Sequence, residues 1–292
     1  MMIIPADGLA VTVPGQPSGC EELVTVELVG EAGGLVHARM YGTGRSEFAV
    51  YRSVFDEPWG FDYEYAELPG RPRELIWIDS GMMTAHIGSR RWALTPGRAL
   101  WIPAGVPSEV VPNVASTGFC LQFAAGRPQF DPAVPTLFAV SPLARELLLA
   151  LGRSGLADAG AGAMVGLLLS ELEVLPDAGT DLPMPTEERA LAIARGLLAD
   201  PADPRTLAAW AASVFGSEKT VARAFLDQCG MTFGTWRTMA RLFASMPLLM
   251  TDLPVTAVAA RVGYASPGSY IDAFRRHLGS TPGELRNGDR HR

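Results

Sequence analysis

One part of this chain repeats itself, and that repeat limits the possible folds more than any other feature. Residues 206–233, "TLAAWAASVFGSEKTVARAFLDQCGMTF", align with 254–282, "PVTAVAARVGYASPGSYIDAFRRHLGSTP". Leu207, Ala211 and Val214 match Val255, Ala259 and Val262 at an offset of 48; Phe225 and Gly230 match Phe274 and Gly279 at 49. The one-residue slip falls at Gly216 and Gly263, where a turn accepts an extra residue. Two copies of one supersecondary unit account for this spacing.

Each copy reads as helix, tight turn, helix. Leu207, Trp210, Ala211 and Val214, then Val255, Val258, Ala259 and Val262, recur at helical spacing, and the two alanines let a second helix cross closely. Gly216 and Gly263 are expected to supply the turns. Ser217 and Ser266 stand as N-caps, with Pro267 at the favoured first helical position. Val221 and Phe225, or Tyr270 and Phe274, give each second helix a buried side, and Gly230 and Gly279 end it. This is the pattern of a helix-turn-helix unit, whose second helix enters the DNA major groove. Between the copies, Trp236, Met239, Phe243, Met246 and Met250 recur every three or four residues, predicting an amphipathic helix of roughly 16 residues, about 24 Å long. Pro247 should kink that helix or restart its last turn.

Charge agrees with one end of the chain meeting a polyanion. The whole chain carries −7, yet residues 187–292 hold 13 Lys/Arg against 10 Asp/Glu, leaving 11 against 21 for residues 1–186. The apolar runs "ELLLAL" and "GLLLSEL" are too short to cross a membrane, and "MMIIPADGLA" lacks the basic opening of a signal peptide. A cytoplasmic protein is expected. Cys20, Cys120 and Cys229 are odd in number and far apart, so they predict neither a disulfide framework nor a metal site.

The run "VAARVGYASPGSYIDAFRRHLGSTPGELR", with "GMTFGTWRTMARL" before it, resembles the signature of the AraC-family transcription regulators over about residues 187–292. The resemblance implies that Ser217, Glu218, Lys219, Ala222 and Arg223 face double-stranded DNA in the first unit. Lys219 and Arg223 share a helix face and can both reach guanine O6 and N7, whereas Ala222 offers only apolar contact. The matching residues of the second unit, Ser266, Pro267, Gly268, Ile271 and Asp272, carry few donors. The family often has a second serine near Gly268, and this chain does not. Asp272 either accepts from a cytosine amine or answers the helix dipole. Ser269, Arg275 and Arg276 are expected to anchor phosphates rather than choose bases.

Upstream, "FAVYRSVF", "FDYEYAEL", "ELIWID", "MMTAHIG", "RWALT", "ALWIPA" and "GFCLQF" read as short strands punctuated by Gly and Pro, an antiparallel barrel or sandwich. The run "IGSRRWALTPGRALWIPAGVPSEV" resembles the cupin-type sensor barrels that precede many AraC-family DNA-binding regions. Cupin enzymes hold a metal with a His-x-His pair, a Glu and a later His. Here "LPGRPR" before Glu74 has no histidine, Ser108 occupies the later position, and His37, His86, His277 and His291 are scattered. No metal or other cofactor is expected. Strand alternation puts Trp77 and Asp79 on one face and Ile76 and Ile78 on the other. Tyr65, Trp77, His86 and Trp101 are the candidate lining of a small-molecule effector pocket, each also explicable as core.

Two helices should follow, with Leu143, Leu147 and Leu151 on one face of the first and Met164, Leu168, Leu172 and Leu175 on one face of the second. By the same resemblance they would form a homodimer interface within residues 141–175; the alternative is that they only cover the barrel. The expected architecture is α+β in two domains. A cupin-like β-barrel with following helices spans 1–175, a linker 176–186, and an all-α domain with two helix-turn-helix units joined by a linker helix 187–292. The expected function is a sequence-specific DNA-binding regulator under small-molecule control, with RNA polymerase a candidate further partner. The rival readings are a cupin-fold enzyme with a DNA-binding tail and an architectural DNA protein without an effector.

Overall fold

The computed structural model describes residues 36–39, 48–55, 73–123, 132–152, 158–174 and 181–290. The strand expected at "FDYEYAEL", with Tyr65, lies outside them. Strands β1 (Val36–Arg39), β2 (Phe48–Phe55), β3 (Arg73–Ser80), β6 (Arg98–Ile102), β8 (Ser116–Phe123), β9 (Thr136–Ala139) and β10 (Glu173–Val174) form one antiparallel sheet in the order β1-β2-β8-β3-β6-β9-β10. Strands β4 (Met83–Ile87), β5 (Arg90–Leu94), β7 (Ser108–Pro112) and β11 (Asp181–Pro183) form a second in the order β11-β5-β4-β7. Among the described residues no ladder joins the two, so the strands make two open sheets, not one closed barrel. Tight turns with positive-φ glycines, Gly81 (77°) and Gly97 (85°), pass the chain between them.

Side-chain alternation divides the N-terminal half into layers. Ile76, Ile78, Leu100, Ile102 and Leu137 of the large sheet meet Met83, Ala85, Ile87 and Leu94 of the small one. Their neighbours Leu75, Trp77, Trp101, Phe119, Leu121 and Phe138 point the other way, onto helices α1 (Pro142–Leu151) and α2 (Asp158–Glu171). Asp79 emerges on that same side and pairs with Arg145 of α1 at 3.2 Å. Ser141 caps α1 by accepting from the Ala144 amide, and Pro142 follows it. The buried stripe of α1 is Ala144, Leu147, Leu148 and Leu151. Leu143 is 46% exposed, because at about 100° per residue it falls off that stripe's edge. In α2 the buried residues are Ala161, Val165 and Leu168, followed by Leu172 just past its end, with Met164 half-buried and Leu175 beyond the described residues. The two helices thus cover the sheet with one side and, among the described residues, expose Leu143, Glu146, Gly162, Ala163, Gly166 and Leu167 on the other.

Seven helices follow: α3 (Glu188–Ala199), α4 (Leu207–Ser213), α5 (Glu218–Cys229), α6 (Phe233–Leu249), α7 (Val255–Arg261), α8 (Pro267–Leu278) and α9 (Pro282–Arg290). α4–α5 and α7–α8 are the two repeated units. α6 runs through Pro247 to Leu249 as one helix and buries Trp236, Met239, Phe243 and Met246. These residues form a single core with α3–α8, and that core extends to Met82, Ala93, Leu182 and Met184 beside the small sheet.

Residues 181–184 therefore differ from the expected linker. β11 is the edge strand of the small sheet, with Leu182 opposite Arg91. The Met184 amide donates to the Ser89 carbonyl at 2.6 Å, and Asp181 pairs with Arg90. The prolines of "DLPMP" suggested a breaker, but a proline on an edge strand leaves no ladder bond unmade.

The turns also correct one expectation. Gly263 adopts φ 82°, but in the first unit the left-handed residue is Phe215, at φ 53°, and not Gly216. Both turns close the same way: the Gly216 amide donates to Ala211 O at 2.8 Å and the Tyr264 amide to Ala259 O at 2.9 Å. Phe215 thus occupies the position of Gly263, with its side chain 93% exposed. A left-handed non-glycine residue costs about 1–2 kcal/mol, and this ring recovers little by burial. Phe215→Gly should therefore raise stability by up to about 1 kcal/mol, after the greater unfolded-state freedom of glycine is subtracted. The check is a higher urea midpoint at an unchanged slope.

Candidate nucleic-acid interface

Each repeated unit exposes one side of its second helix and fixes the other by aromatic packing. In α5, Ser217 accepts from the Thr220 amide at 3.1 Å, and Gly230 ends the helix in the left-handed conformation. Val221, Ala224 and Phe225 are buried; the Phe225 ring meets Phe233 edge-on at 5.3 Å and Trp236 at 5.1 Å. That anchoring turns Ser217, Glu218, Lys219 and Arg223 to solvent, with Ala222 half-buried beside them. The Arg223 Nε donates to Asp227 Oδ2 at 3.0 Å. The Nε edge of the guanidinium is thereby engaged with a carboxylate on its own helix. This is an exposed pair one helical turn apart, so it orients Arg223 more than it stabilises the fold.

In α8, Ser266 accepts from the Ser269 amide at 3.2 Å with Pro267 at the first position, and Gly279 closes the helix. Tyr270 and Phe274 are buried. The Tyr270 hydroxyl donates to Ser245 Oγ at 2.9 Å, and that hydroxyl donates to the Leu242 carbonyl, tying α8 to the middle of α6. Burial pushes the Tyr270 phenol well above its usual range, so it stays a neutral donor. Pro267, Gly268, Ser269, Asp272, Arg275 and Arg276 are exposed and Ile271 is half-buried. The Ser269 hydroxyl donates to Ser266 O at 2.8 Å and thus belongs to the cap. Arg275, Arg276 and His277 occupy the last turn, where cations answer the carbonyl end of the helix.

Sequence reasoning missed the arginines that build the scaffold. Arg205 stacks over Trp210, 3.4 Å from the ring centroid, and grips Asp203 with two nitrogens at 2.7 and 2.9 Å. Arg237 donates to the carbonyls of Asp203 and Arg205, Arg241 to Pro201, and Arg286 to Leu249 and Leu253. Three of these cations satisfy loop and helix-end carbonyls and Arg205 is held by a carboxylate, so the basic excess overstates what is available to a polyanion. No spacing in the sequence separates such an arginine from one that faces solvent.

The structure separates the candidate effector residues. Trp77 and Trp101 are buried on the helix-covered face of the large sheet, stacked near Phe119 and Phe123 at 5.2 and 5.4 Å. His86 belongs to the small sheet, on the face turned away from the inter-sheet core. It lies 3.8 Å from Glu109, and burial, then Arg91, lowers its pKa to about 4. These three do not line one pocket, because alternation and the change of sheet point them apart. Between the sheets the buried polar groups are instead Glu74, which accepts from Gln122 at 2.8 Å, and Ser108. Among the described residues no three His, Cys, Asp or Glu side chains gather as a metal site would require, and no helix is long and apolar enough to cross a membrane.

Residues 210–288 match a family model described as "Helix-turn-helix domain". The chain is 28% identical over 218 residues to the HTH-type transcriptional regulator NimR of Escherichia coli K12, an alignment covering 73% of this chain and 79% of that one. It is 30% identical over 217 residues to the HTH-type transcriptional regulator RipA of Corynebacterium glutamicum, covering 73% of this chain and 62% of RipA. The crystal structure of the DNA-binding domain of AdpA in complex with a target DNA aligns at 28% identity and a TM-score of 0.34, covering 36% of this chain and 95% of that one.

Proposed function

Because this chain belongs to the AraC family of transcription regulators, we propose that its two units divide their work on DNA, with α5 choosing bases and α8 fixing register. The observation that carries this reading is the difference between two helices of the same grammar. The exposed side of α5 presents Lys219 and Arg223, whereas α8 presents Pro267, Gly268 and Asp272 at its start and Arg275 and Arg276 at its end. Long bidentate donors near a helix N-terminus suit base edges, while cations in a last turn suit phosphates. The 17 residues of α6 give a rod of about 25 Å between the units, suited to successive major grooves about 34 Å apart once the flanking helices are added.

The N-terminal layers then serve as the sensing and dimerising part of a cytoplasmic, non-enzymatic regulator, a role supported by relatives that are themselves named transcriptional regulators. The cupin-type reading of these layers rests on the two stacked sheets, and the buried Glu74 and Ser108 with the half-buried Gln122 between them are where an effector would find hydrogen-bonding partners. The free side of α2 presents Gly162, Ala163, Gly166 and Leu167 without a charge, which supports dimerisation through 141–175. RNA polymerase is the further partner of an activator built this way.

The test is selection on randomised duplexes followed by salt titration. Arg223→Ala should cost about 1–3 kcal/mol at the preferred site and flatten one guanine position. Arg276→Ala should weaken all sequences alike and lower the slope of log K against log[salt] by about one. If Arg276→Ala changed the preferred bases and Arg223→Ala did not, the division of labour would be wrong.

A further inference from the structure

Resting on the regulator reading above, we propose that residues 181–187 act as a strap that seats the first recognition helix against the small sheet, with Gln228 as its positioning residue. The strap has three consecutive attachments. At its start it is an edge strand: β11 pairs with β5, Asp181 meets Arg90, and the Met184 amide donates to Ser89 O at 2.6 Å. In its middle, the Pro183 carbonyl accepts from Trp236 Nε1 at 2.7 Å in a buried bond, at the first turn of α6. At its end, Gln228 Oε1 accepts from the amides of Thr186 and Glu187 at 2.8 and 3.0 Å. Gln228 lies in the last turn of α5, and Glu187 is the N-cap of α3.

The strap's own hydrogen bonds reach the first recognition helix directly, through Gln228, and the second only by way of α6. Gln228 has no counterpart role in α8: the matching residue, 49 positions on, is His277, in a last turn whose neighbours are Arg275 and Arg276. α8 is instead tied to α6 through Tyr270 and Ser245. The hydrogen bonds of the strap go to β5, the β4–β5 turn, α6 and α5. Leu182 and Met184 are buried in the same core as Ala190, Phe225 and Trp236, and Gln228 adds a direct hydrogen-bonded link from the strap to α5. A change in the N-terminal layers therefore alters the pose of the unit that chooses bases, while the anchoring unit holds its phosphates.

The full-length chain is tested by backbone hydrogen exchange and by fluorescence anisotropy on the duplex that the wild-type protein enriches from a randomised pool. Gln228→Met keeps length and loses the acceptor; Trp236→Phe keeps an aromatic ring and loses the donor. Each should speed exchange of the Thr186, Glu187 and Met184 amides about tenfold, as a local opening of the strap requires. Each should also weaken binding about two- to tenfold, the worth of one hydrogen bond, with altered preference only at the base pairs that Arg223→Ala relaxes. Unchanged exchange at those three amides would overturn the strap. So would losses shared equally by the base pairs under α5 and α8. A wild-type protein that enriched no duplex would overturn the regulator reading instead, and the exchange measurement would still decide whether the strap exists.

Discussion

Trp236→Ala should destabilise the C-terminal half by about 4–6 kcal/mol, enough to unfold it at ordinary temperature. The indole is fully buried, packs on Phe225 at 5.1 Å, and donates to the Pro183 carbonyl. Truncating a buried aromatic costs about 3–5 kcal/mol through lost contacts and the cavity left behind. The stranded Pro183 carbonyl adds about 1–3 kcal/mol, less whatever water recovers. Because Met82, Ala93, Leu182 and Met184 share this core, the effect should reach the small sheet. Urea titration followed by helical circular dichroism, and by exchange of amides in β5, should show both moving together. A helical transition that shifts while β5 keeps its protection would mean the core is not shared.

Gly263→Ala should cost about 2–4 kcal/mol, although it adds a single methyl. The residue sits at φ 82°, and a Cβ there would lie 2.8 Å from the Ala202 Cα and 2.9 Å from an Arg241 Nη2. The left-handed conformation accounts for about 1–2 kcal/mol, and displacing backbone adds about 1–3 kcal/mol of overpacking strain. Arg241 cannot simply swing aside, since its Nε holds the Pro201 carbonyl. The first unit supplies the control. Phe215, at the equivalent turn position, accepts a far larger side chain because it projects into solvent. A thermal melt of Gly263→Ala that matched the wild type would show that the second turn is less tightly built than these distances say.

The helix-turn-helix units were legible from sequence because their determinants are local. Serine caps, a proline at the first helical position, glycines at the helix ends, and apolar pairs four residues apart each act within a turn or two of the backbone. Ser217, Ser266, Gly230 and Gly279 accordingly hold the positions their spacing predicts. Strand alternation was legible for the same reason, and Trp77 and Ile76 point to opposite faces as expected.

What local pattern could not supply was the partner of each face. Trp77, Trp101 and His86 all sit on strands, but which sheet each strand joins depends on ladders between segments distant in sequence, such as Trp77 opposite Phe119, Trp101 opposite Thr136 and His86 opposite Glu109. The segment "DLPMP" shows the limit most plainly. Its prolines and acidic residue fit a linker on composition, and only the presence of β5 on one side and Trp236 on the other makes it a buried edge strand. By itself the sequence determined the two recognition helices, their caps and their exposed sides, because those follow from nearest neighbours along the chain. The tertiary structure decided which arginines hold loops, which residue takes the left-handed turn, and that the sheet is strapped to the first recognition helix, because each of these depends on groups brought together only when distant segments pack.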